Sequence, residues 1–134
     1  MITDPMRMCE LLVGLPDVNV IGVGDWPLFL RIAIATRAGR PSCPACGGRV
    51  WAHDRIEVEL VDLPCFGRQT RLMWSKQRWR CPSPTCAVVT FVEVDDRIAA
   101  ERAAITDRAS RWATIQVGHH GRSEAEVADD LGCD

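Results

Sequence analysis

Apolar and polar residues alternate along most of the chain up to about Val94, then give way to a helical spacing, so strands are predicted first and helices last. The clearest alternation sets Leu28, Leu30, Ile32 and Ile34 against Phe29, Arg31, Ala33 and Ala35. A shorter strand signal precedes it around Val18 to Val23, with Gly24-Asp25-Trp26-Pro27 as the turn between them. Further on, Ile56, Val58 and Leu60 alternate with Glu57, Glu59 and Val61, and Asp62-Leu63-Pro64-Cys65-Phe66-Gly67 reads as a turn. A strand from Thr70 to Cys81 puts Leu72 and Trp74 on one face and Arg71 and Met73 on the other, and Val88 to Val94 supplies one more.

Ahead of these strands, Met8 to Leu12 predicts a short apolar helix ending near Gly14 and Pro16. Behind them, Asp95 or Asp96 is available as an N-cap, and Ile98, Ile105, Ala109, Trp112 and Ile115 hold one helical face to about Val117. Gly118-His119-His120-Gly121 breaks that pattern. Ser123 to Glu126 then matches a capping box, opening a helix that buries Val127, Ala128 and Leu131 and stops at Gly132. The fold class is α+β: a β-rich, antiparallel unit over residues 1–94, followed by a helical segment over residues 95–134.

Cysteine placement adds chemistry to this outline. Seven cysteines occur in 134 residues, and four of them form two close pairs: Cys43 with Cys46 in Cys43-Pro44-Ala45-Cys46-Gly47-Gly48, and Cys81 with Cys86 around Pro82-Ser83-Pro84-Thr85. Two turns bearing thiols, joined by a strand-rich stretch, are what a tetrahedral metal asks for, and they mark a zinc-ribbon-like core over about residues 37–94. The chain opens Met1-Ile2-Thr3-Asp4-Pro5, without a secretory pattern, so a reducing cytosol is expected and disulfides or free thiols are the lesser alternative. A redox Cys-x-x-Cys needs a strand-to-helix setting that Gly47-Gly48 does not supply, whereas an iron tetrathiolate is a closer rival. The four residues inside the second pair favour zinc.

A shell of four sulfurs leaves no place for water, so Cys43, Cys46, Cys81 and Cys86 are expected to hold a structural Zn²⁺ that performs no reaction. His53 is read as a strand-end surface residue; a deaminase-type site needs a Glu two residues after the His and cysteines behind it. Cys9, Cys65 and Cys133 lack partners at ligand spacing and are read as small buried side chains or free thiols.

The net charge of −2 conceals a separation of signs. Residues 37–80 hold nine Lys or Arg against four acids, and residues 93–134 hold ten acids against five Arg. Phosphate contacts are therefore placed on Arg71, Lys76, Arg78 and Arg80, with Trp79 packing below or stacking; the alternative is a solvated strand edge. At the other end, Ala128 and Gly132 with Val127 and Leu131 fit the first helix and turn of a helix-turn-helix, whose recognition helix would be expected beyond Asp134. No apolar run reaches the length of a bilayer span, and no membrane or small-molecule partner is expected.

Taken in order, Cys43-Pro44-Ala45-Cys46-Gly47, Val61-Asp62-Leu63-Pro64, Gly67, Gln77-Arg78-Trp79-Arg80-Cys81-Pro82, Cys86 and Thr90-Phe91-Val92-Glu93 resemble the N-terminal zinc-binding domain of bacterial insertion-sequence transposases of the ISL-three family. The resemblance covers about Leu28 to Glu93, and the family's next segment, a helical DNA-binding region with a helix-turn-helix, fits Arg97 to Asp134. In that family a larger catalytic domain with acidic metal-binding residues follows, to which nothing in these residues corresponds. What the resemblance implies is the DNA-binding head of a transposase, cytoplasmic and nucleoid-associated, that recognises double-stranded element termini and catalyses nothing itself. The competing expectation is a zinc-stabilised interaction module, with a homodimer possible in either case.

Overall fold

A computed structural model describes residues 1–37 and 39–133; Ala38 and Asp134, which the expected units include, lie outside the described residues. Helix α1 spans Pro5–Val13. Asp4 caps it by accepting the Met6 amide at 3.2 Å, Pro5 starts it with a preset φ, and Gly14 ends it at φ 68°. Strands β1 (Val18–Asp25), β2 (Leu30–Thr36), β3 (Trp51–Cys65), β4 (Arg68–Arg80) and β5 (Thr90–Val92) follow, then helices α2 (Asp107–Gly118) and α3 (Glu124–Leu131).

All five strands join one sheet in the order β1-β2-β4-β3, with β5 also on β4. β3 covers one edge of β4 for nearly its whole length, while β2 pairs with Thr70–Ser75 and β5 with Arg78–Arg80. Every pairing is antiparallel except β2 with β4. That parallel pair needs a long crossover, and the chain from Arg37 through β3 provides it. The α+β class holds, and the first two strands share a sheet with the zinc region.

The alternation read from the sequence positions the core. Val18, Val20, Ile32, Ile34, Leu60, Leu72 and Trp74 form one buried cluster, closed by Val13 from α1 and by Ile98 and Ala99. At one end of the sheet lies a second cluster around Cys43, Val50, Trp79 and Cys81; a third, around Ala109, Val127 and Leu131, holds α2 and α3.

β1 runs on into the expected turn at Gly24-Asp25, β2 starts at Leu30 and β3 at Trp51, and three boundaries differ more consequentially from the sequence reading. β3 runs on through Asp62-Leu63-Pro64 to Cys65, with a bulge between Asp62 and Cys65, and the tight turn is Phe66-Gly67, both at positive φ. A bulge accommodates Pro64, which has no amide to donate. The expected strand Val88–Val94 shortens to Thr90–Val92.

The expected helix from Asp95 or Asp96 begins only at Asp107, with Thr106 as its N-cap. Asp95 does cap a single turn, its carboxylate accepting the Arg97 amide at 3.0 Å. Ile98 and Ala99 then enter the sheet core, Arg102 turns the backbone to φ 63°, and Ala109 joins the helical cluster. One straight helix cannot feed two separate cores. α3 follows one half of the capping-box reading: the Ser123 hydroxyl accepts the Glu126 amide at 3.1 Å, while the Glu126 carboxylate faces Arg122, and Gly132 closes the helix at φ 74°. Val127 and Leu131 are buried, and Ala128 is half-buried.

Candidate metal centre and its basic flank

Each cysteine pair sits on a knuckle that the backbone closes on itself. In the first, the Cys43 amide donates to the Gly48 carbonyl and the Gly47 amide to the Cys43 carbonyl, each at 2.9 Å, and Ser42 bridges to Arg49. Gly47 takes φ +70°, a conformation a side chain would strain. The second knuckle leaves β4 directly: the Cys81 amide donates to Val89 at 3.0 Å, returning the chain to β5. Val50 and Trp79 pack beneath the thiols, with Val88 and Phe91 beside them.

This geometry brings the four Sγ atoms within 4.8 Å of one another. Cys43 and Cys86 are 3.7 Å apart, as are Cys46 and Cys81. Thiolates around zinc at about 2.3 Å form a tetrahedron with edges of about 3.8 Å, whereas a disulfide closes to about 2.05 Å. The spacing is that of a metal shell.

Protonation behaviour agrees with it. The amides of Cys46 and Ala45, aided by the Cys86 thiol, lower the Cys43 thiol to about 7 against burial. At Cys86 the Val88 amide favours the thiolate, but burial and the neighbouring thiols outweigh it and push the group up to about 12. Cys81 shifts the same way: burial and the thiols of Cys46 and Cys43 overcome the Ser83 amide. Four thiolates this close do not ionise together without a cation among them.

Residues 39–86 match the family model described as the zinc-finger of transposase IS204/IS1001/IS1096/IS1165. This segment is similar to the zinc ribbon of ISL-three transposases. Its four cysteines are the ligands of a structural Zn²⁺, and His53 stands exposed on β3 outside their cluster. No curated protein matches the chain, and no solved structure does. Among the described residues no helix is long and apolar enough to cross a membrane.

The four cations singled out for phosphate on β4 are placed in different surroundings. Arg71 donates to the Leu131 carbonyl at 3.1 Å and to that of Gly132, holding the end of α3 on the sheet together with Gln69, which reaches the Asp129 carbonyl at 3.0 Å. Arg78 makes a two-pronged contact with Asp54, through Nε at 2.6 Å and through Nη2. The Lys76 ammonium lies 4.3 Å from the centre of the Trp74 ring. Arg80 is exposed beside Cys81.

Sequence reasoning passed over two groups that the fold makes prominent. One is Trp51, exposed at the start of β3, with the guanidinium carbons of Arg40 and Arg49 at 4.9 and 5.0 Å from its ring centre. The other is Asp62, 1% exposed, whose carboxylate accepts from the Thr106 hydroxyl at 2.8 Å, Arg108 at 2.7 and 2.9 Å, and the Leu63 amide at 2.8 Å. Both lie next to motifs already noted, Trp51 after the first knuckle and Asp62 in Asp62-Leu63-Pro64. Neither has a spacing that announces its role.

Proposed function

We propose that this chain acts as the DNA-binding head of a transposase, holding double-stranded element termini by non-covalent contacts and contributing no catalysis of its own. The observation that carries the reading is a transposase-type zinc ribbon with a cationic flank that the acids beyond Val92 leave unpaired. Among the described residues, each ion pair formed by an acid beyond Val92 takes its arginine from the same segment: Asp95 with Arg97, Asp107 with Arg111, Glu126 and Asp130 with Arg122. The acidic tail therefore leaves the ribbon's arginines to other partners.

In this reading Lys76, Arg78 and Arg80 meet phosphate, and Arg71 serves by fixing α3 against β4. The corner from α2 to Gly132 opens a helix-turn-helix, and a functional boundary near Val94 separates it from the ribbon. The setting is the bacterial cytoplasm, at the nucleoid. Anisotropy titration of duplex DNA at several salt concentrations tests the reading: the logarithm of affinity is expected to fall linearly with the logarithm of salt, and a flat response overturns it.

A docking or dimerisation module is the second reading, supported by a different surface. An open cavity of about 320 Å³ between α1, β1, β2 and the end of β3 is lined by Leu12, Val23, Leu30, Leu63 and Phe66, and Leu12 and Phe66 are largely exposed. Sedimentation without DNA separates the two: a stable dimer indifferent to nucleic acid favours docking.

A further inference from the structure

The arginines of this chain divide sharply by partner. Among the described residues ten of them form ion pairs with carboxylates, and Arg40, Arg49, Arg55, Arg80 and Arg102 do not. Arg55 has a carbonyl instead, that of Ser75 at 3.1 Å, and Arg102 lies on the turn beyond β5. The other three gather at one place. Arg40 and Arg49 flank the Trp51 ring, and Arg80 is directly opposite Trp51 in the β3–β4 ladder, so their side chains leave the same face of the sheet.

Such a cluster raises the local positive potential and favours an anion beside it. Two guanidinium groups lie against one ring and a third arginine stands opposite it on the neighbouring strand, and no carboxylate among the described residues pairs with any of the three. A guanidinium resting on an aromatic ring still has its in-plane N–H fork free, which suits the paired oxygens of a phosphate. The site is also held firmly. Arg49 closes the first knuckle through its bridge to Ser42, and Arg80 is held by its register with Trp51 next to the ligand Cys81.

We infer that Arg40, Arg49 and Arg80, organised by Trp51, form a phosphate clamp for the backbone of nucleic acid. The inference rests on the DNA-binding reading above and locates its main contact at the ribbon tip. Each clamp arginine contributes to affinity without regard to base sequence, and Trp51 contributes by holding two of them in place.

The test is anisotropy of the full chain, zinc-loaded, with a random-sequence duplex over a salt series. Replacing Arg40, Arg49 and Arg80 together with Gln is expected to flatten the log–log salt slope by about 0.9 for each phosphate no longer neutralised, with zinc content unchanged. Arg102→Gln removes the same kind of charge away from the tip and is expected to have almost no effect. Trp51→Ala is expected to weaken binding about fivefold, and Trp51→Phe to restore most of it. If the wild type binds with a salt slope and the triple variant matches it, the clamp is wrong while the DNA reading stands. If the wild type shows no salt-dependent binding, both fall. Polyglutamate bound with the same reliance on the three arginines would overturn phosphate recognition in favour of an acidic protein segment.

Discussion

The ribbon and the helical corner of this molecule hold short elements in place by opposite means. At the ribbon tip, two knuckles rest on a small cluster, Val50, Trp79, Val88 and Phe91 beside the cysteines. So few apolar groups do not offset the entropy of ordering the knuckles, and the metal supplies the difference. At the corner, α2 and α3 have an apolar contact of similar size, through Ala109, Val127 and Leu131. There the fastening is a buried carboxylate: Asp62 on β3 binds the cap residue of α2 and the guanidinium of Arg108, which also reaches the Val13 carbonyl at the end of α1. The lesson is that a small domain needs a strong polar fastener wherever its core runs thin, and that either a cation among thiolates or an anion among donors can supply it.

Removing the metal should break this comparison most severely. Chelation, or Cys46→Ser, is expected to cost the ribbon on the order of 10 kcal/mol and to release amide protection across residues 42–50 and 81–92. The sheet core around Ile34, Leu72 and Trp74 should stay protected in hydrogen exchange. Continued protection of both knuckles in metal-free protein would show that packing alone holds the ribbon.

Cutting the other fastener should have a smaller effect, confined to the opposite end. Asp62→Ala leaves the Arg108 guanidinium, the Thr106 hydroxyl and the Leu63 amide without their acceptor, and about 3 kcal/mol of stability should be lost in urea unfolding. Exchange should quicken in α2 and α3 while zinc affinity is unchanged. A loss of zinc in this variant would mean that the two ends are not independent.

The smallest effect concerns Asp54 and Arg78, at the border of the ribbon. The hydrogen bond from Arg78 holds the Asp54 carboxyl below its ordinary value. A carboxylate lowered on folding contributes stability above its unfolded value, about 3.9, and loses it as pH falls through the lowered folded value. Asp54→Asn should therefore reduce stability slightly at neutral pH and not at all in strong acid, as read from thermal unfolding across a pH series. An equal deficit at every pH would assign the effect to packing.

How legible each region was follows from how local its signals are. The four ligands could be read because a metal knuckle is written in adjacent residues, Cys43-Pro44-Ala45-Cys46-Gly47, and α3 because its cap and its glycine stop lie within one short helix. The α2 boundary was misplaced because Asp95 is a sound local cap, and only the divergence of Ile98 and Ala109 into separate cores shows that the helix starts later. Asp62-Leu63-Pro64 reads as a turn from its residue types, yet the register with Thr70 and Arg68 keeps it in β3. Glu93, the end of the Phe-x-Glu motif, proves to join β2 to β4, accepting from the Thr36 hydroxyl and from the Gln77 amide at 2.7 Å.

What the sequence alone determined was therefore everything carried by neighbouring residues: the alternating strands, the thiol pairs and their metal, the cap of α3 and the excess of positive charge between Arg37 and Arg80. Only the tertiary structure decided the parallel pairing of β2 with β4, the burial of Asp62 among its donors, and which cations were already engaged. Arg71 and Arg78 look alike on paper to Arg80, but the fold brings carbonyls of α3 to the first and Asp54 to the second, and sets the third beside Trp51. Partners separated by tens of residues leave no periodicity in a chain, because their meeting depends on loop closure and packing and not on local backbone preference.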